Sequence, residues 1–344
     1  MIQKGKQSLQ YEVKPWIISS ASIVGKKEKE GPLGRYFEMH DEDEKFGGEN
    51  WEEAESNLQK QAARRAVEKS GLSMEDIRYI YAGDLLGQTI ATSFGLMEFH
   101  RPLFGLYGAC STAGEALSLG SAGIEGGMAD FVLALTSSHF ASAEKQFRYP
   151  LEYANQRPLS ATWTVTGSGA FVLASPKEAK KRQIRPIAQI AGITTGKILD
   201  YGCRDSMNMG AAMAPAAADC IFCHLEDFHR TPEDYDAIVT GDLGSVGQRI
   251  LFDLMSDKGV SLQGKHLDCG MMIYNQETQD THAGGSGCGC SAVVLSAYFL
   301  KELLEKRYRR ILFVPTGALL STVSFNEGKN VPGIAHAVVI EGMP

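Results

Sequence analysis

The chain has 344 residues, a formal net charge of −7, 44% hydrophobic residues and 22% charged residues. That length accommodates two α/β lobes or one large domain, and the composition is ordinary for a globular protein. The acidic balance disfavours non-specific nucleic-acid binding, and seven cysteines, an odd number, fit reduced thiols better than a disulfide framework.

The start, MIQKGKQSLQYEV, is polar and shows no apolar signal region. No apolar run is long enough for a membrane span; 311–320 is short and holds Pro315 and Gly317. The expectation is a protein made and kept on the cytosolic side. Residues 11–24 read as a first strand, and 25–50 as a charged, glycine-rich loop with an Asp41–Glu44 run. That run lacks the alternating ligands and in-register glycine of a calcium loop, so it reads as a solvated loop. Ala54, Leu58, Ala62 and Ala66 recur at helical spacing, which predicts a helix over 51–70 ended by Gly71. Strands are predicted over 77–82 and 131–136, with a small-residue helix over 111–126 between them.

The chain then repeats itself. Residues 76–85 read DIRYIYAGDL and 234–243 read DYDAIVTGDL. Cys110-Ser111 matches Cys290-Ser291, and the same shift lays FVLALTSS (131–138) on ILFVPTGA (311–318). GSGAFVLAS (167–175) is like GIAHAVVIE (333–341). Each half has strand, glycine-rich turn, helix and closing strand in one order, which argues for a duplicated βα unit. The expected halves are 1–185, carrying Cys110, and 186–344, carrying His282 and Cys290.

In such a duplicated fold the helices after the two glycine-rich turns lie side by side, with their N-termini aimed at one spot. GLYGACSTAG (105–114) puts Cys110 at one of these starts, and GGSGCGCS (284–291) opens the other. Free N–H groups and helix dipoles there favour negative charge, so a thiol is helped toward thiolate. The same geometry holds either the oxyanion of an acyl transfer or a stable carboxylate.

These segments resemble the thiolase and ketoacyl-synthase superfamily. GACSTAGEAL (108–117) looks like its nucleophile motif, THAGGSGCG (281–289) like its second-half Gly-His-Pro loop, and GSGAFVLA (167–174) like its closing strand. GDLG (241–244) stands in the place of its Asn-Glu-Ala-Phe or His-Gln-Ala-Asn loop. The resemblance covers nearly the whole chain from residue 15 and implies a thiolase-like, five-layered αβαβα fold. YAGDLLGQ, FGLYGACSTAGEAL and DTHAGGSGCGCSA are similar, more closely, to a sporulation branch of that superfamily in endospore-forming bacteria. That likeness implies a component of the machinery moving dipicolinic acid, with its calcium, into the spore. The old thiolase pocket would bind the ligand, and membrane proteins of the stage V sporulation A complex would be partners. It implies a place in the cytoplasm or peripheral at the spore inner membrane. It also implies a homodimer, with RPLFGLYG (101–108) as the candidate seam.

The pattern departs from an enzyme. A thiolase needs a second cysteine as acid or base, yet the C-terminal turn reads GALLSTVS (317–324). The GDLG loop supplies Asp242 and neither histidine nor asparagine, and Ala283 follows the histidine where the family has proline. A condensation would lack its proton carrier, and no lysine–arginine cluster suits coenzyme A phosphates. The expectation is therefore a non-catalytic binding protein with no cofactor and no metal, whose Cys110 is a vestigial nucleophile; the alternative is an acyl-thioester transferase or ketoacyl synthase.

The candidate ligand-binding residues are Cys110, Ser111, His282, Gly285, Cys290, Asp84 and Asp242. Each has a plainer reading. Cys110 is a core cysteine, His282 a loop histidine, and the aspartates are turn caps at strand ends. Cys288 stands open between pocket and core. Arg148, Tyr153 and Arg157 lie in the 144–160 insertion and suit bidentate carboxylate contact or the surface. Cys220, Cys223 and His224 spell a c-type haem motif. They fall on one predicted helix with His229, and a single helix cannot close a tetrahedral metal site.

Overall fold

The computed structural model describes residues 1–147, 152 and 156–344. Five strands of the first half are β1 (Trp16–Val24), β2 (Tyr79–Gly83), β3 (Leu103–Gly105), β4 (Phe131–Ser138) and β5 (Gly167–Ala174). Five of the second are β6 (Ala188–Thr194), β7 (Ala237–Thr240), β8 (His266–Asp268), β9 (Arg310–Val314) and β10 (Ala337–Gly342). Their hydrogen-bonded order is β8-β7-β9-β10-β6-β1-β5-β4-β2-β3. Read outward from the β1–β6 seam, the two halves have one order. They also share one pattern of direction: β1–β5 and β5–β4 are antiparallel, β4–β2 and β2–β3 parallel, and β6, β10, β9, β7 and β8 repeat this. The seam is slight, pairing Ala188 with Ile17 and Gln189 with Trp16.

Strand side chains alternate between faces, and here the alternation sorts the core into layers. Phe131, Leu133 and Leu135 of β4 meet Leu58, Ala62 and Ala66 of α1 (Trp51–Ser70) in an outer core. Val132 and Ala134 face the other way, into a central core shared with Ile311 and Phe313 of β9 and Val338 and Ile340 of β10. Leu312, Val314 and Val339 point to a second outer core under α3 (Met209–Phe228) and α4 (Gly244–Asp257). Two helices fill the middle layer, α2 (Thr112–Glu125) and α5 (Cys288–Val294). They touch each other; α2 packs on β2 and β4 and reaches β10, while α5 packs on β4 and β5. The result is helix, sheet, helix, sheet, helix.

Local chemistry explains the main elements. α1 begins where Asn50 accepts the Glu53 N–H and ends at Gly71 in the left-handed region. Asp43 caps its own turn by accepting the Lys45 and Gly47 N–H groups, so the acidic run is a loop. α3 holds Cys220 and His224 in the packed interior, with His224 bonded to Thr194 Oγ1 and Tyr235 Oη. Among the described residues no His/Cys/Asp/Glu group has metal-holding geometry. No helix among them is long and apolar enough to cross a membrane.

Candidate functional site

A tight turn carries Cys110. Ala109 adopts φ +50°. Thr112 Oγ1 accepts the Gly108 N–H at 3.0 Å and donates to the Ala109 carbonyl at 2.6 Å, and Ser111 Oγ donates to the Gly108 carbonyl at 2.7 Å. The turn places Cys110, 5% exposed, between the two halves. Gly317 of the second half presses on its back. A Cβ there would lie 2.2 Å from the Gly108 carbonyl oxygen, so only glycine fits.

The second wall comes from the 281–291 loop. Gly287 has φ +117°, and a Cβ on it would fall 2.6 Å from Ser138 Oγ. Its backbone N–H works in part against the burial that raises the Cys110 thiol and the Asp242 carboxyl. The next residue, Cys288, donates its thiol to the Ser137 carbonyl at 3.0 Å and packs with Cys110, Leu85, Leu86, Ala91 and Ala143. Thr162 and Thr164 flank Trp163 on a short strand paired with Gly285–Ser286, and both threonines face the cleft.

Cys110 forms one wall of a narrow cleft. Tyr107, Thr162, Thr164, Ser286 and Glu144 supply its polar lining, and Leu85, Phe147, Met207, Met209 and Leu320 the apolar part. The enclosed space of the cleft is small, about 20 Å³. None of the described lining residues is Lys, Arg or His.

The electrostatics correct one expectation. Burial, and then the nearby Asp242, hold the Cys110 thiol well above the ordinary range, and the Gly287 N–H opposes them only in part. Helix α2 starts at Thr112, beyond Cys110, and the sulfur sits in an apolar cluster. Desolvation therefore outweighs the dipole, and the thiol is protonated at neutral pH. Cys288 and Cys290 are raised by burial as well.

The remaining candidates disperse. Asp84 is fully buried at the end of β2. It accepts the Leu86 N–H at 2.8 Å, the Thr92 N–H at 2.8 Å and the Thr92 hydroxyl at 2.6 Å, as a turn cap does. Burial raises it, and its carboxyl also acts on buried Glu55. Ser111 is spent on the Cys110 turn. Gly285 packs under Ile273, Tyr274 and Val165. Cys290 donates to the Gly241 carbonyl at 3.4 Å in the central core and does not line the cleft. The Cys-Ser match of the repeat is thus not a structural equivalence, since α5 has already begun at Cys288. His282 is not among the residues that line the Cys110 cleft. With φ +54°, its Nδ1 lies 2.9 Å from the Pro158 carbonyl and its Nε2 lies 3.0 Å from Asp280 Oδ1. Arg157 bonds Asp280 and stacks over Trp163, on the opposite face of the short strand from Thr162 and Thr164. Arg148 and Tyr153 lie outside the described residues.

Asp242 is the exception. It is fully buried at the end of β7, with Oδ1 lacking any partner and Oδ2 accepting only the Thr316 N–H at 3.5 Å. The threonines and Ser286 were not singled out from sequence, and the Thr-Trp-Thr alternation was the available signal for the threonines; Cys288, left open between pocket and core, packs beside Cys110.

Residues 5–341 match the family model described as Stage V sporulation protein AD. The chain belongs to this family. Stage V sporulation protein AD of Bacillus subtilis (strain 168) is 43% identical over 337 residues, covering 98% of this chain and 97% of that protein. Among solved structures, human mitochondrial 3-ketoacyl-CoA thiolase in complex with CoA is similar at TM-score 0.59 and 12% identity, over 97% of this chain and all of that one. Acat5 thiolase from Ascaris suum, in complex with coenzyme A, gives TM-score 0.58 and 13% identity, over 96% and 100%. The fold is thiolase-like, and the chain is a sporulation protein.

Proposed function

We propose that this protein is a non-catalytic binding protein that holds dipicolinate, alone or as its calcium salt, in the cleft at Cys110 during sporulation. The observation that carries the reading is the state of that cleft. A nucleophile position is present, yet its thiol is buried and held well above the ordinary thiol range by burial and Asp242, and none of the described lining residues is a histidine to act as its base. Acyl transfer needs nucleophile, base and oxyanion donors together; a cleft lacking the base still binds. The hydroxyl groups of Tyr107, Thr162, Thr164 and Ser286 and the apolar side chains suit an aromatic ring carrying carboxyl groups, while Glu144, which accepts from Thr164, is a carboxyl group in the same lining. Entry of a ring requires the cleft to open, and Met207 and Met209 are side chains flexible enough to yield. Family membership supports the sporulation setting, in which membrane proteins of the stage V sporulation A complex provide the passage itself.

We further propose a homodimer formed through β3. All three of its residues are exposed at the free edge of the sheet. Leu103, Phe104 and Tyr107 are each more than 40% exposed there, and an uncovered edge strand with apolar side chains invites pairing.

Calorimetric titration with dipicolinate tests the binding reading, with Cys110→Ala and with benzoate as controls. Saturable dipicolinate binding, weakened in the variant, is expected. No dipicolinate binding, together with an acyl adduct on Cys110 after exposure to acyl-thioesters, would replace it with the enzyme.

A further inference from the structure

The two halves part company where their parallel inner strands begin. In each, a single helical turn closed by an aspartate leads into the strand. Asp76 accepts the Ser73 N–H at 2.9 Å ahead of β2, and Asp234 accepts the Thr231 N–H at 2.8 Å ahead of β7. Two residues further on, the second half has Asp236 and the first half Arg78. Asp236 accepts the Arg309 and Arg310 N–H groups at 2.6 and 2.9 Å, and Arg310 and Lys14 both pair with Glu341. The second half thus closes its charges on one another. Among the described residues, Arg309 is the one cation lining the hollow there that lacks a carboxylate.

The first half leaves its charges open. A groove of about 950 Å³ lies at this end of the sheet. Among the described residues, Arg78, Arg101 and Lys177 line it with no carboxylate in ion-pair range, while Arg182 is taken by Asp76 and Glu178. Arg101 donates only to backbone, at the His100 and Glu75 carbonyls. Ile80 stands opposite Leu103 in parallel register, so Arg78 and Arg101, two residues back on each chain, are neighbours. Like charges side by side on adjacent strands are unfavourable, and the second half builds the equivalent strand end without them. The acids of the groove do not cancel these cations. Glu125 accepts the Glu12 and Val13 N–H groups, and Asp130 takes the Ser175 hydroxyl. Glu75 is the one lining acid whose carboxyl has no hydrogen bond or ion pair among the described residues.

The three open cations are spread out, not convergent. Across the sheet the order is β5, β4, β2, β3, with Lys177 just past the end of β5, Arg78 just before β2 and Arg101 just before β3. Three strand spacings amount to about 14 Å, more than one phosphate or carboxylate spans. An extended chain sets alternate side chains about 6.7 Å apart, so acidic residues at three alternate positions cover that length. Half-exposed Val13 and Met128 add apolar contact in the same groove. We propose that this groove docks an extended acidic segment of a partner polypeptide, its carboxylates meeting Arg101, Arg78 and Lys177. A polypeptide fits the groove better than a nucleic acid does. A phosphate backbone carries its charge past Glu75 and Asp130 without relief, whereas a peptide turns an N–H or a neutral side chain toward them.

Fluorescence anisotropy on the full chain tests this, with a fluorescein-labelled octapeptide of alternating Glu and Ala as the probe. Saturable binding is expected, weakening as salt is raised. The same peptide with Gln in place of Glu should not bind. Arg78→Glu combined with Arg101→Glu should weaken the acidic peptide by about tenfold, and Lys177→Glu should weaken it by a few-fold. Arg309→Glu, at the matching end of the second half, should leave binding unchanged. None of these four side chains is buried, so the circular dichroism spectrum should not change; if the double reversal unfolds, Arg78→Gln with Arg101→Gln makes the same comparison. No saturable binding of the acidic peptide, or an equal loss in Arg309→Glu, overturns the proposal. A labelled single-stranded oligonucleotide of the same length that binds more tightly than the acidic peptide overturns the choice of a polypeptide.

Discussion

Asp84 and Asp242 end equivalent strands in the two halves, yet Asp84 has both oxygens engaged while Asp242 has one oxygen bare. Their substitutions should therefore differ in kind. Asp84→Ala strands the Leu86 and Thr92 N–H groups in the interior and should cost about 3 kcal/mol of stability, from the usual cost of orphaned buried donors. Asp242→Asn removes an acid that the fold does not use and should change stability by less than about 1 kcal/mol in either direction. Urea unfolding at neutral pH, followed by circular dichroism, separates the two; equal losses would mean that Asp242 is structural after all.

Much of the fold was legible in the chain. Helix 51–70 is bounded by an N-cap and a glycine, and both halves of the repeat carry matching strand ends, so local chemistry and pattern agree. The site was legible only in outline. Cys110 was marked by its motif and does line the cleft. The orientation of His282 depends on a positive φ that a residue letter does not disclose. The Cys-Ser match pointed at Cys290, but α5 starts at Cys288 and turns Cys290 into the central core, so the sulfur beside Cys110 is Cys288. The protonation of Cys110 was missed because a helix dipole can be inferred from a motif, whereas desolvation depends on what folds over it.

Glu55 gives the protein a stability that depends on pH. It is fully buried in α1, accepts hydroxyl donors from Ser137 at 2.9 Å and Ser142 at 2.5 Å, and is pushed up to about 8 by burial and by Asp84. A raised acid binds its proton more tightly in the folded chain. Its contribution is complete below the unfolded value near 4.5 and is lost as pH rises through about 8. Glu28, raised to about 7, acts with the same sign. Unfolding free energy should fall across pH 5 to 8 by roughly 1 kcal/mol per unit for one such group, and Glu55→Gln should flatten the slope. Denaturant titrations at several pH values check this; a slope identical in wild type and Glu55→Gln would remove Glu55 from the account.

The exposed edge predicts the assembly. Phe104 lies stacked on Tyr81 at 4.9 Å and leaves its outer face open on β3. A charge placed there should oppose edge-to-edge pairing without disturbing the buried layers. Phe104→Lys should shift the chain from dimer to monomer in sedimentation equilibrium with an unchanged circular dichroism spectrum. A wild-type chain that sediments as a monomer at micromolar concentration would dismiss the β3 seam.

Thiol chemistry offers the most direct reading of the cleft. Cys203 and Cys223 are partly exposed, whereas Cys110 is 5% exposed and held well above the ordinary thiol range by burial and Asp242. The thiolate is the reactive form, so the rate of alkylation follows its population. Iodoacetamide at pH 7 should therefore modify Cys203 and Cys223 first, with Cys110 slower by more than about tenfold; peptide mass spectrometry assigns the sites. The Cys110 rate should still be rising at pH 9, past the point where an ordinary thiol levels off. If dipicolinate occupies the cleft, it should slow Cys110 further and leave Cys203 unaffected. Rapid labelling of Cys110 at neutral pH would instead mean an activated nucleophile, and the enzyme would then be the better reading of this site.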